Sequence, residues 1–101
     1  MSNISLTITN DIATLSGDLT GQTIDKIPAH QLTCFLRQKS AIINLVAIDK
    51  VDTAGLAWLL SQVELAQANA CLLYFEHLPS SLIKLASLSS VEQFLPVHTS
   101  S

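Results

Sequence analysis

Charge is what this sequence has least of. Of its 101 residues only 13% are Asp, Glu, Lys or Arg, about half the ~25% of an ordinary globular chain. The five basic residues, Lys26, Arg37, Lys39, Lys50 and Lys84, are scattered and outnumbered by eight acidic ones, for a net charge of -3. Nucleic-acid binding calls for clustered Lys and Arg to neutralise phosphates. Electrostatic docking on anionic lipid calls for the same. Neither class fits. Long apolar runs are absent too: the stretches 41–48 and 54–60 fall short of the ~18–20 residues that span a bilayer. The first ten residues have no basic segment followed by an apolar one, so no secretory signal is expected. Cysteine is limited to Cys34 and Cys71, with no Cys-x-x-Cys pair; buried thiols in a reducing compartment are expected rather than a disulfide framework. The expected location is the cytoplasm.

The motifs of nucleotide and acyl chemistry are missing as well. There is no Gly-x-Gly-x-x-Gly, no phosphate-loop signature, no Ser-x-x-Lys and no Gly-x-Ser-x-Gly. His30, His77 and His98 stand in separate segments with no metal-ligand spacing. Asp49 and Asp52 lie three apart in a stretch read as a loop, which suits solvation or helix capping better than an acid–base dyad. Cys34, amid Leu32 and Phe35, reads as a core thiol rather than a nucleophile. The expectation is a non-enzyme with no cofactor and no metal.

What is present is apolar: 49% of residues, enough for one packed core and, at this length, not for two. Residues 1–101 are therefore read as one domain, with 98–101 a frayed tail. Residues 4–9 alternate with period 2 (Ile4, Leu6, Ile8 against Ser5, Thr7, Thr9), and a second alternating run follows Asn10-Asp11. This predicts a β-hairpin ended by Gly17 and Asp18. From about Thr23 to Gln38 the spacing turns helical, with Pro28 delaying the start. Ala41–Ile48 is a nearly continuous β-branched run and predicts a strand buried on both faces. Asp49-Lys50-Val51 is read as a link to a helix from about Thr53 to Asn69. Cys71–Glu76 predicts another strand, Ser80 the cap of a short helix through Leu88, and 91–97 a helical turn or a last strand. The order β-β-α-β-α-β-α, with crossovers between parallel neighbours, describes a small α/β domain whose mixed sheet opens with an antiparallel hairpin.

The informative segment is Ile-Asp-Lys-Val-Asp-Thr-Ala-Gly-Leu-Ala-Trp-Leu-Leu, residues 48–60. A strand ends and a short loop delivers Asp52 and Thr53 to a helix start, at the carboxyl end of a sheet, where α/β proteins often bind ligands or partners. Asp52 reads either as an N-cap or as the neighbour of a presented hydroxyl, and Gly55 as a residue that keeps the approach open. Around the helix, Leu56, Leu59, Leu60, Val63, Ala66 and Ala70 form a core stripe. Ala54, Trp58, Ser61 and Leu65 form a second, outward stripe. Either the third helix or the C-terminal tail covers Trp58 and Leu65, or, as the shortage of charge favours, the stripe is an aromatic anchor for a protein partner.

The run Asp52-Thr53-Ala54-Gly55-Leu56 resembles the STAS family (sulfate transporter and anti-sigma factor antagonist). That family places an Asp-Ser or Asp-Thr pair, then x-Gly-Leu, at the start of the helix after the third strand. The chain length, the element order and the Leu-Ser-Gly-Asp-Leu of 15–19 match as well. Within the family, Val51–Leu60 is most similar to the cytoplasmic STAS subunits of ABC-type phospholipid transport systems. The resemblance implies a partner, the ATPase subunit of such a transporter, and through it the permease at the inner membrane of a Gram-negative bacterium. The implied role is in outer-membrane lipid asymmetry. It also implies a partner surface comprising Asp52, Thr53, Ala54, Gly55, Trp58, Ser61 and Leu65. The alternative is an anti-sigma factor antagonist switched by phosphorylation at Thr53, although Thr stands where that group usually has Ser.

Overall fold

The computed structural model describes residues 3–97; the expected frayed tail at 98–101 lies outside them. The two alternating runs pair as an antiparallel hairpin, β1 (Ile4–Thr9) and β2 (Ile12–Leu19), with Leu6 opposite Leu15 and Ile8 opposite Ala13. Asn10 takes the turn at φ 56°, a left-handed conformation that Asn tolerates well. β3 (Ser40–Val51) lies parallel to β2, and β4 (Leu72–Glu76) parallel to β3, in a sheet of order β1-β2-β3-β4. Three helices connect and follow the strands: α1 (Ala29–Phe35), α2 (Thr53–Ala68) and α3 (Ser80–Leu88). The expected mixed α/β architecture and element order are those observed.

The core lies on one side of the sheet. Ala13 and Leu15, Ala41, Ile43 and Leu45, and Leu73 and Phe75 are buried and join the inward residues of all three helices in a single cluster. The other face is more open, and here the expectation for the third strand fails. Ile42 and Asn44 are only half-buried and Val46 is 62% exposed. A continuous apolar run shows that a strand can be covered on both faces; whether anything covers the second face is decided by where the helices pack.

Other boundaries moved for identifiable reasons. Gly17 and Asp18 do not end β2. Gly17 sits inside it at φ 112°, opposite Ile4, where the register with β3 shifts. A Cβ there would collide with the Asn3 backbone, 3.1 Å from its carbonyl carbon, so this is a bulge glycine. Asp49–Val51 belong to β3 rather than to a linker. The helix expected over 23–38 is split into a 3-10 turn, Ile24–Lys26, and α1, with Pro28 at the N-cap between them, because Pro cannot supply an interior N–H. Pro79, not Ser80, holds the N-cap of α3. Segment 91–97 is both things expected of it: a 3-10 turn at Glu92–Phe94, then Val97 bridging Phe75 in parallel.

Candidate functional site

Because β2 and β3 run parallel, they end side by side, and the Asp52 N–H donates to the Leu19 carbonyl (3.3 Å). α2 starts at that point. Asp52 is its N-cap, with extended backbone (φ -122°, ψ -176°). Its Oδ1 accepts the Gly55 N–H at 2.9 Å, which satisfies one of the donors that every helix leaves unpaired in its first turn. Its Oδ2 accepts the Gly21 N–H at 3.1 Å, from the loop after β2. One carboxylate thus ties the helix start to a loop 31 residues upstream. The Gly21 N–H, and after it the Gly55 N–H, hold the Asp52 carboxyl below the ordinary carboxylate range, since both bonds favour the charged form.

The loop that meets Asp52 is itself braced. The Thr23 hydroxyl is buried, donates to the Asp18 carbonyl at 2.6 Å, and accepts the Thr20 N–H at 3.0 Å. Gly21 and Thr23 were not singled out in the sequence. The signal available was the pair of threonines flanking Gly21-Gln22, a spacing at which hydroxyl-to-backbone bonds commonly close a turn.

The predicted site residues divide. Asp52 and Thr53 are exposed at the helix start and stand together, as expected. Gly55 is a correction. It is buried, and a Cβ built on it would lie inside the Leu19 carbonyl group, 2.8 Å from the carbonyl carbon and 3.1 Å from Leu19 Cγ. It therefore lets α2 press against the end of β2 and does not keep a partner's approach open. Ala54, Trp58 and Leu65 are half-buried and Ser61 is exposed; Trp58 and Leu65 pack against the core cluster. Their stripe begins beside Gly21, where an added Cβ would lie 3.4 Å from the Ala54 Cβ, and the 3-10 turn Ile24–Lys26 packs on α2. The stripe is thus a flank partly covered by that loop, and less outward than a helical wheel alone suggests.

The core stripe also needs correcting. The inward residues of α2 are Gly55, Leu56, Leu59, Gln62 and Ala66; Leu60 and Val63 are half-buried, and Ala70 is exposed beyond the helix end. Gln62 is tolerated inside because its amide donates to the Ser61 hydroxyl (3.2 Å) and the Trp58 carbonyl (3.4 Å). Cys71 is buried as expected, and burial pushes its thiol upward. Cys34 is not a core thiol: it is exposed, with Sγ 3.9 Å from His30 Nε2. α1 turns Leu32, Phe35 and Leu36 inward, which leaves Cys34 on the outer side. A groove of about 570 Å³ runs between α2, β4 and residues 93–96, with Leu60, Val63, Tyr74 and Phe94 in its wall; neither Asp52 nor Thr53 lines it. Among the described residues no group of three or more His, Cys, Asp or Glu is placed to hold a metal ion, and no helix is long and apolar enough to cross a membrane.

Comparison with known proteins places this geometry. A family model described as STAS domain matches residues 3–101. Among solved structures, the anti-sigma factor antagonist SpoIIAA in its unphosphorylated form is similar with a TM-score of 0.67 at 15% identity, over 95% of this chain and 88% of that one. An anti-sigma-factor antagonist (STAS) domain protein from Planctomyces limnophilus is similar with a TM-score of 0.70 at 8% identity, over 99% of this chain and 92% of that one. At those identities the likeness is one of fold. No curated protein sequence matches the chain significantly.

Proposed function

The chain belongs to the STAS domain family, and from that premise we propose that it is a non-catalytic protein-binding subunit whose contact surface is centred on the Thr53 end of α2. The observation that carries this reading is the arrangement at Asp52: each carboxylate oxygen accepts a backbone N–H, so Asp52 serves as a brace, while Thr53 beside it is exposed. A group braced in this way is preorganised for recognition. The surface available to a partner comprises Asp52, Thr53 and Ser61, with Ala54, Trp58 and Leu65 contributing the parts of their side chains left uncovered. Gly55 acts from behind. The partner we propose is the ATPase subunit of an ABC-type phospholipid transporter, because the Val51–Leu60 run resembles MlaB, the STAS subunit of the Mla system. The protein would then sit in the cytoplasm, peripheral to the inner membrane through an MlaF-like ATPase, stabilising or regulating it, and any ATP hydrolysis belongs to that partner.

A second reading is supported by the two similar structures named above, an anti-sigma factor antagonist and an anti-sigma-factor antagonist (STAS) domain protein. In it, Thr53 is phosphorylated and the partner is an anti-sigma factor. The two readings share one surface and differ in what occupies it. Purification of the tagged full chain from native membranes and cytosol separates them: an ATPase and permease co-eluting supports the first, an anti-sigma kinase the second.

A series at Thr53 tests the surface itself. A phosphate or its mimic would meet a helix N-terminus, which favours negative charge, yet would add about -1.5 to -2 charges to the contact. Thr53→Glu is expected to fold like the parent, by circular dichroism and melting, and to lose partner binding; Thr53→Ser is expected to bind nearly as well as the parent. Unchanged binding by Thr53→Glu would move the partner surface elsewhere on the domain.

A further inference from the structure

The two edges of the sheet are treated differently. At the β4 edge the chain returns on itself: the Phe75 N–H donates to the Pro96 carbonyl at 2.7 Å, and Val97 bridges Phe75. At the β1 edge no described strand lies alongside; α1 approaches it at Ile8, where His30, Gln31 and Cys34 are neighbours. The phase of the hairpin shows which groups are left over. The Asp18 N–H donates to the Asn3 carbonyl, so Asn3 and Asp18 form a hydrogen-bonded pair, and with this register so do Ser5 with Ser16, Thr7 with Thr14, and Thr9 with Ile12. The backbone N–H and C=O groups of Leu6 and Ile8, and the carbonyl of Ile4, point away from β2. The Ile4 N–H is taken by Asn3 Oδ1 at 2.9 Å.

Nothing in the strand protects that edge. Ile-Ser-Leu-Thr-Ile-Thr carries no charge, no Pro and no Gly, whereas proteins that keep an edge unpaired usually blunt it with Lys, Pro or a bulge. The strand is also complementary to itself. In antiparallel pairing about a two-fold axis through Leu6, Leu6 faces Leu6 and Ile4 faces Ile8. Ser5 then faces Thr7 on the opposite face, so apolar meets apolar and hydroxyl meets hydroxyl. About four backbone hydrogen bonds form without disturbing Asn3. Ile8 is 37% exposed and gains cover.

We propose that a second copy of this chain pairs antiparallel along β1, joining two four-stranded sheets into one of eight strands. The contact is isologous and of the small class that associates weakly and reversibly, below ~1,200 Å². Because the paired strands are antiparallel, the two Thr53 helix ends lie at opposite ends of the joined sheet. Self-association and partner binding are therefore separate properties.

The test uses the full 101-residue chain in sedimentation velocity over a concentration series reaching the sub-millimolar range. The parent should shift from 10.9 kDa toward twice that mass. Ser5 and Thr7 are both exposed, so Ser5→Lys with Thr7→Lys should fold as the parent does while setting like charges opposite each other across the axis. Self-association should weaken by about tenfold or more. A Ser5→Glu, Thr7→Glu copy should fail alone in the same way, and mixing it with the Lys copy should restore a dimer. A parent that stays at monomer mass throughout overturns the proposal. So does a Lys copy that associates like the parent, or a Lys–Glu mixture that stays monomeric while both copies fold.

Discussion

Replacing Gly55 by Ala adds one methyl group to the first turn of α2, and at most helix positions that would be favourable by up to ~1 kcal/mol. Here the methyl would point at the end of β2. It would overlap the Leu19 carbonyl, whose carbon would lie 2.8 Å away, with Leu19 Cγ at 3.1 Å. The two nearest obstructing atoms are backbone, held by the Asp52 N–H to Leu19 bond, so a rotamer change of Leu19 does not relieve the clash and the helix start must move. Overpacking of this kind costs ~1–3 kcal/mol, with the upper end apt because a fixed strand is opposed. Displacing Asp52 from Gly21 and Gly55 weakens a cap worth ~1 kcal/mol. After subtraction of the helix-propensity gain, a net loss of about 3 kcal/mol is expected. For a domain of this size that corresponds to a melting temperature lower by roughly 10–20 °C. Urea titration should show a lower midpoint with an unchanged slope. The exposed helical residue Ala57 supplies the control, since Ala57→Gly should cost only about 1 kcal/mol. A Gly55→Ala protein as stable as the parent, or more so, would refute the close-approach argument. Gly55 would then be free to be read as part of the partner surface.

Asp52→Ala should lower stability at neutral pH by about 1 kcal/mol. Its folded-state carboxyl is depressed by the Gly21 and Gly55 N–H groups, so its contribution is complete above the unfolded carboxylate value and is lost as pH falls through the folded one. The gap between parent and variant should accordingly narrow in acid, and a gap that stays constant down to strongly acid pH would show that the charge plays no part. Trp58→Ala should cost stability as well as affinity, about 2 kcal/mol of the former, because the ring is half-buried and packs on the core cluster. Unfolding curves like the parent's, with binding alone lost, would return Trp58 to the role of a purely exposed anchor.

Local pattern was sufficient wherever the neighbours that matter are near in sequence. The period-2 runs of β1 and β2, the Asn10 turn, the start of α2 at Thr53 and its end at Asn69 all rest on contacts within a few residues, and on side chains whose alternation or capping chemistry is printed in the chain. The Asp52–Thr53 pair was legible for the same reason, as was its place at the carboxyl end of parallel strands, which follows from element order. What the tertiary structure decided were the matters of which surface meets which. The apolar run of β3 could not say that only one of its faces would be covered. The wheel of α2, apolar on nearly every side, could not say that Gly55 and Gln62 turn inward while Leu60 and Val63 stay half out. Nor could it say that the loop carrying Gly21 would reach Asp52 and partly cover the flank holding Ala54 and Trp58. Cys34 looked like core because its neighbours are, yet the direction of a side chain on a short helix is set by how the helix lies on the sheet. In each case the deciding contact joins groups far apart in the sequence, such as the carboxylate of Asp52 and the amide of Gly21. Such contacts exist only once the strands have been aligned and the helices laid upon them.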